Sequence, residues 1–207
     1  MTDGKTFIVE HLDPELGPWS ELEYSAIADE TQQSGSNNRF ILSSLPASFR
    51  VPQRLSAKAA FTAERRGVEE LYAADKSRVC LLDPAAGRDL SPDDGDSFRV
   101  FLFGGILDRT SELRNKGFEG RRLGPKQMTT DTAVRVTRMV VQDRIALSDI
   151  PFIDFPELKL NDHESTEMPF RYVVDEQGKP IMPKACVSWS TTAAGTASVK
   201  LQSCPSR

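Results

Sequence analysis

Histidine is scarce in this chain: His11 and His163 are the only two among 207 residues, too few to build a histidine-rich zinc centre. Cysteine is equally sparse. Cys80, Cys186 and Cys204 are odd in number and lack metal-ligand spacing, so neither a disulfide framework nor a metal cage is expected. A reducing, cytoplasmic location is the expectation. No apolar run approaches the length of a membrane span, and Met1–Lys5 lacks the apolar core of a signal peptide, so no membrane partner is expected. Also missing are G-x-G-x-x-G, the P-loop, G-x-S-x-G and H-E-x-x-H, which removes support for dinucleotide, nucleotide-phosphate, serine-hydrolase and zinc-protease chemistry. An excess of basic charge is absent too. The net charge is −4, whereas a nucleic-acid binder is more often basic overall.

That charge is unevenly spread. Residues 1–107 carry 11 basic and 17 acidic side chains, residues 108–144 carry nine and five, and the rest sum to −2. The basic stretch allows an RNA-facing patch without demanding one. Apolar residues at 39% and charged residues at 27% describe an ordinary globular composition.

Short apolar runs recur with room for helices between them. The pattern predicts strands at Phe7–His11, Arg39–Leu45, Arg78–Asp83, Phe98–Ile106, Pro151–Phe155 and Phe170–Val174. It predicts helices at Trp19–Gln33, Gly67–Lys76 and Thr130–Arg144, with a shorter one near Ser111–Asn115. Alternation of this kind implies an α/β fold, a mostly parallel sheet flanked by helices on both faces. Residues 84–97, rich in Pro, Gly and Asp, read as a surface loop. A single domain over 1–183 is expected, with 184–207 a divergent, disordered tail poor in charge and periodicity.

The densest signal is Arg122–Ala133, a turn-rich loop feeding an amphipathic helix. Ala133, Val136, Thr137, Val140 and Val141 form its apolar stripe, with Arg135, Arg138, Gln142 and Asp143 largely opposite. Thr129 and Thr130 suit an N-cap, and Asp131 suits the positive end of the helix dipole. Two other loops follow apolar strands: Leu82-Asp83-Pro84, and Gly104-Gly105-Ile106-Leu107. Paired glycines serve a turn, or they let a ligand approach the backbone; the sequence leaves both open. In open parallel sheets ligands collect beyond the carboxyl ends of strands, so the three loops can meet around one pocket.

These segments carry a resemblance. Ile8-Val9-Glu10-His11, Glu23-Tyr24-Ser25, Ile41 to Pro46, Pro52-Gln53-Arg54-Leu55, Arg78 to Pro84 and Phe103 to Leu107 match a known pattern. So do Arg121 to Ala133, Asp143-Arg144-Ile145-Ala146, Phe152-Ile153-Asp154 and Thr166 to Val173. The chain resembles fungal protein-arginine methyltransferases of the SPOUT superfamily, whose family is also described as predicted RNA methyltransferases. The resemblance implies a C-terminal trefoil knot and S-adenosyl-L-methionine as cofactor. It implies three cofactor walls: Leu82, Asp83 and Pro84; Gly104, Gly105, Ile106 and Leu107; and Leu123, Gly124, Lys126, Gln127, Met128, Thr129 and Thr132. It also implies a small-subunit ribosomal protein as substrate and action as a monomer, with RNA the alternative acceptor.

An arginine acceptor is permanently charged, and a carboxylate is its matching partner. Glu167, Glu10 and Asp131 are the candidate acids. Each also has a plain structural reading: a loop acid before proline, a strand-end acid, a helix-dipole partner. The acids Asp13, Glu15, Glu21 and Glu23 near the start would suit a basic peptide or simply face solvent. Arg109, Arg121 and Arg122 could hold the cofactor carboxylate or form a solvated basic face. Met128 reads first as an apolar plug. Relative to the family pattern, a Gly-Asp-x-Pro-Pro-type segment is missing where Leu107 joins Asp108-Arg109-Thr110 directly, and the resemblance is lost altogether after Pro183. The shortened loop borders the expected pocket, so a catalytically impaired binding module is the third reading.

Overall fold

The computed structural model describes residues 4–11, 13–104, 107–159, 165–183, 187–191 and 197–201. Its centre is a six-stranded, all-parallel sheet of β1 (Thr6–Glu10), β2 (Arg39–Ser43), β3 (Phe61–Ala63), β4 (Val79–Leu82), β5 (Val100–Gly104) and β6 (Glu119–Arg121). The order is β3-β2-β1-β5-β4-β6. The central strands are continuous apolar runs because both sheet faces are covered. Phe7, Ile8, Val9, Cys80, Leu81, Phe101 and Leu102 are fully buried. Alternate residues point to two cores. Phe7, Val9, Cys80, Leu82, Phe101 and Phe103 face the larger one, and Ile8, Val79, Leu81, Val100 and Leu102 face the smaller.

Helices α1 (Pro18–Gln33) and α6 (Thr130–Val141) pack on the larger core. Between them in the chain come α2 (Gln53–Ser56), α3 (Val68–Leu71), α4 (Asp94–Ser97) and α5 (Leu107–Asn115). Only α1, α5 and α6 exceed two turns. The helix predicted over Gly67–Lys76 is a single α-turn followed by a 3-10 turn at Lys76–Arg78. The surface loop predicted over 84–97 ends in α4, whose Asp94 is buried against Arg121.

Two edge strands escaped the sequence reading. β3 has only three residues, and β6 reads Glu-Gly-Arg, which no hydrophobic pattern marks. Conversely, the predicted strands at Pro151–Phe155 and Phe170–Val174 exist but do not join the sheet. They form β7 (Phe152–Asp154) and β10 (Arg171–Val173), an antiparallel pair against α6. A second small pair joins β8 (Glu157–Lys159) to β9 (Ser165–Glu167).

Within the segment read as a disordered tail, β11 (Val187–Thr191) and β12 (Ala197–Leu201) pair antiparallel. Val187, Trp189 and Thr191 alternate with serines, a two-residue period suited to a strand. Among the described residues no helix is long and apolar enough to cross a membrane.

Candidate active site

A cavity of about 780 Å³ opens beyond the carboxyl ends of β4 and β5. Its lining draws on the loops after those strands, on the loop between β6 and α6, and on α1 and Phe170. Each wall is held from behind.

The first wall is Leu82, Asp83 and Pro84. Asp83 does not present a free carboxylate. Arg114 of α5 donates to it from Nε at 2.5 Å and Nη2 at 2.8 Å, and the Ala85 N–H adds a third bond at 2.9 Å. The bidentate guanidinium is the main reason its carboxyl sits below the usual range. The second wall is Phe103, Gly104 and Thr110. Gly105 and Ile106 lie outside the described residues, and Leu107 already begins α5, so the strand-to-helix connection here is very short.

The third wall is Arg122 to Thr130. Gly124 adopts φ +88°, a left-handed conformation that favours glycine and lets the loop reverse. The loop is stitched on both sides. Arg122 exchanges backbone bonds with Arg88 and Leu90, and the Arg171 N–H donates to the Gln127 carbonyl at 2.8 Å. Arg171 is itself clamped to Asp154 and stacked over Phe152. Arg171 thus buttresses the third wall from behind, and Phe170 beside it reaches the cavity.

Thr129 takes the N-cap position of α6, yet its hydroxyl accepts no helix N–H and instead donates to the Thr132 hydroxyl at 2.9 Å. The cap comes from a different helix: the Thr130 N–H donates to Glu23 Oε1 of α1 at 3.2 Å. Glu23 is buried and lines the cavity. Burial pushes its carboxyl up to about 8, with the nearby Asp131 carboxyl adding to the effect. Asp131 is 2% exposed and also shifted upward by burial.

Of the predicted cofactor residues, Leu82, Asp83, Pro84, Gly104, Leu123, Gly124, Lys126, Gln127, Met128 and Thr129 line this cavity. Thr132 stands behind it, fully buried under Thr129. Met128 packs against the core and also lines the cavity. Among the candidate acids, Asp131 sits one layer behind the wall. Glu10 is elsewhere: at the end of β1 it accepts the Ser44 hydroxyl at 2.7 Å and the Val68 N–H at 3.3 Å, fastening the start of α3. Glu167 is exposed on β9, paired with Glu157, and lies outside the lining. Of the acids, Glu23 and Asp83 line the cavity, and Glu10 and Glu167 do not.

The sequence pattern groups Glu23 with a surface acid cluster. Its separation from α6 by a hundred residues hides the role. Trp19, Phe103, Thr110, Pro125 and Ala133 also line the cavity. Arg121 is buried against Asp94 at 2.9 Å and so is structural, whereas Arg122 faces the cavity. Arg135, expected on the solvent side of α6, is buried and paired with Glu30 of α1.

Residues 6–195 match the family profile of the SFM1-like protein arginine N-methyltransferases. The chain belongs to that family. The match continues past Pro183, so family likeness reaches further into the C-terminal segment than the sequence reading allowed. Protein arginine N-methyltransferase SFM1 of Saccharomyces cerevisiae is 47% identical over 196 residues, covering 86% of this chain and 90% of the relative. A crystal structure of the yeast SFM1 complexed with S-adenosylmethionine superposes with a TM-score of 0.77 at 45% identity, covering 87% of each chain. Trm10 from Thermococcus kodakaraensis shares the fold alone, with a TM-score of 0.50 at 17% identity, over 70% of this chain and 95% of that one. The architecture is thus the SPOUT type, as the resemblance implied.

Proposed function

We propose that this protein is an S-adenosylmethionine-dependent methyltransferase acting on an arginine side chain of a small-subunit ribosomal protein, as a monomer in the cytoplasm. The single observation that carries the arginine reading is the buried Glu23 carboxyl on the wall of the cavity. S-adenosylmethionine supplies a methyl group on a cationic sulfur. About 780 Å³ suffices for it and for the tip of an acceptor side chain, since small-molecule sites run from roughly 300 to 1,000 Å³. Leu82, Phe103, Leu123, Met128 and Ala133 offer an apolar bed for its adenosyl part, and the polar groups of the third wall offer its orientation. The relatives' complex with S-adenosylmethionine supports the same cofactor here. The trefoil knot implied by the resemblance belongs to this proposal, with the Arg122–Thr130 loop and α6 as its C-terminal part.

The catalytic contribution asked of the protein is positioning plus a counter-charge. Holding two reacting groups in line is worth several powers of ten without any covalent help. A guanidinium keeps its charge at neutral pH, so a carboxylate within the cavity is needed to orient it. Incubation of the purified protein with methyl-labelled S-adenosylmethionine and small ribosomal subunits tests the reading. Label in protein, recovered as methylarginine after acid hydrolysis, is the expected result. Label that resists protease and is lost to ribonuclease would replace arginine with RNA as acceptor, and no transfer with cofactor bound would mark a binding module.

A further inference from the structure

Glu23 and Asp131 are two buried neighbouring carboxyls: Glu23 accepts the N–H of Thr130, the residue before Asp131, and each acid bears on the other's proton. Two such groups need either a cation or a shared proton. Among the described residues, the cations near the pair are already engaged. Arg135 lies 3.7 Å from Asp131, but its guanidinium is engaged by both oxygens of Glu30 and by the Ile181 carbonyl. Arg122 is paired with Asp89, and Lys126 sits over the Phe155 ring. Tyr172 of β10 faces the pair with a hydroxyl that has no hydrogen-bond partner, and the two acids hold it further in its neutral form. Tyr24 is likewise held neutral. Trp19 and the Thr130 N–H are the donors on Glu23.

Both Asp131 oxygens are shielded from solvent and receive no hydrogen bond of good geometry. A proton held between Asp131 and Glu23 satisfies one of them. An ionised Asp131 beside an ionised Glu23 would leave two charges against an Arg135 already matched by Glu30.

We propose that Glu23, positioned by Asp131, is the proton acceptor of the methyl transfer: the pair holds one proton in the ligand-free protein, gives it up to solvent when cationic ligands enter the cavity, and takes one back from the acceptor nitrogen. The proposal rests on the cavity being the methyl-donor site. During transfer the acceptor nitrogen forms a bond to the methyl carbon, and the carbon–sulfur pair stays on sulfur, which becomes a neutral thioether. The N–H proton passes to Glu23. Donor and acceptor bring two positive charges and leave as one, and the pair goes from two negative charges to one. Charge within the site is therefore conserved across the reaction, which a fixed ion pair could not achieve.

The test counts protons. A unit positive charge about 6 Å away, at an effective dielectric of about 20, shifts the shared proton's equilibrium about a hundredfold. S-adenosylmethionine carries the sulfonium and S-adenosylhomocysteine does not. Calorimetric titrations at pH 7 in buffers of different ionisation enthalpy should show more protons released on binding the first than the second, by up to one per site. Between pH 6 and 7.5 the affinity for S-adenosylmethionine should rise relative to the homocysteine form, up to tenfold per pH unit. Glu23→Gln, which keeps an oxygen for the Thr130 N–H, should abolish both differences while still binding S-adenosylhomocysteine. Asp131→Asn serves the same count if Glu23→Gln does not fold. Equal proton counts for the two ligands, or a difference that survives Glu23→Gln, would overturn the role of the pair. Failure of both ligands to bind would overturn the cavity reading, and the pair's role with it.

Discussion

Asp83 and Glu23 line the same cavity, and their carboxyls are held in opposite states. Asp83 is gripped by Arg114 and by a backbone N–H, so its charge is fixed and its carboxyl lies low. Glu23 is raised by burial and then by its acid neighbour Asp131, with no cation paired to it among the described residues, and its carboxyl is pushed up to about 8. Both are buried, so burial alone does not explain the difference. The partner decides it. A carboxylate with its own guanidinium is architecture: here it ties α5 to the end of β4. One without a guanidinium can exchange a proton and accept a cation from outside.

The comparison can be broken at several points. The largest effect is expected for Glu23→Gln, which should lower kcat about 100- to 10,000-fold, the usual range for a lost general base, with S-adenosylhomocysteine affinity retained. A loss confined to KM would show that Glu23 only binds. Next is Arg114→Ala. It strips Asp83 of its bidentate partner and should lower the midpoint of urea unfolding, modestly because Arg114 is half exposed. Unchanged stability would show that Asp83 is not held by that pair. Gly124→Ala forces a side chain into a left-handed turn, at a cost of about 1–2 kcal/mol, and should weaken cofactor binding in parallel. Normal binding with normal stability would place the turn outside the site.

A separate and gradual effect is the pH dependence of the ligand-free protein. The Glu23 carboxyl is raised in the fold, so the folded state holds more protons than the unfolded chain between about pH 4.5 and 8. Stability from this source is fully present below about pH 4.5 and is lost as pH rises through 8. The slope is at most about 1.4 kcal/mol per pH unit, and Glu23→Gln should flatten it. Asp83 runs the other way: its carboxyl is lowered, so its contribution is present at neutral pH and is lost on acidification. Thermal unfolding of Glu23→Gln and Arg114→Ala across acidic to neutral pH separates the two. A flat wild-type profile would remove the shared proton from the account.

Much of this was legible in the chain. Apolar runs such as Phe7–Val9, Val79–Leu82 and Val100–Phe103 predict buried parallel strands because a strand covered on both faces has no polar side. Arg122–Thr130 stands out because a tight loop before a helix needs glycine and small polar residues at fixed places. β3 and β6 did not stand out, since three-residue edge strands are defined by their partners rather than by their own composition. For the same reason β7 and β10 could be read as strands but not assigned away from the main sheet.

The acids show the division most sharply. Glu10, Asp131, Glu167 and Glu23 are alike as letters, and strand-end or motif position favoured the first three. Sequence by itself determined the family, the parallel sheet and the loops that frame the cavity, because those depend on local periodicity and on contiguous segments. Which carboxyl faces the cavity and which shares a proton are properties of neighbours a hundred residues apart. Only the packing of α1 against α6 decides them, since a carboxyl's charge depends on its distance to other charges and its shielding from water.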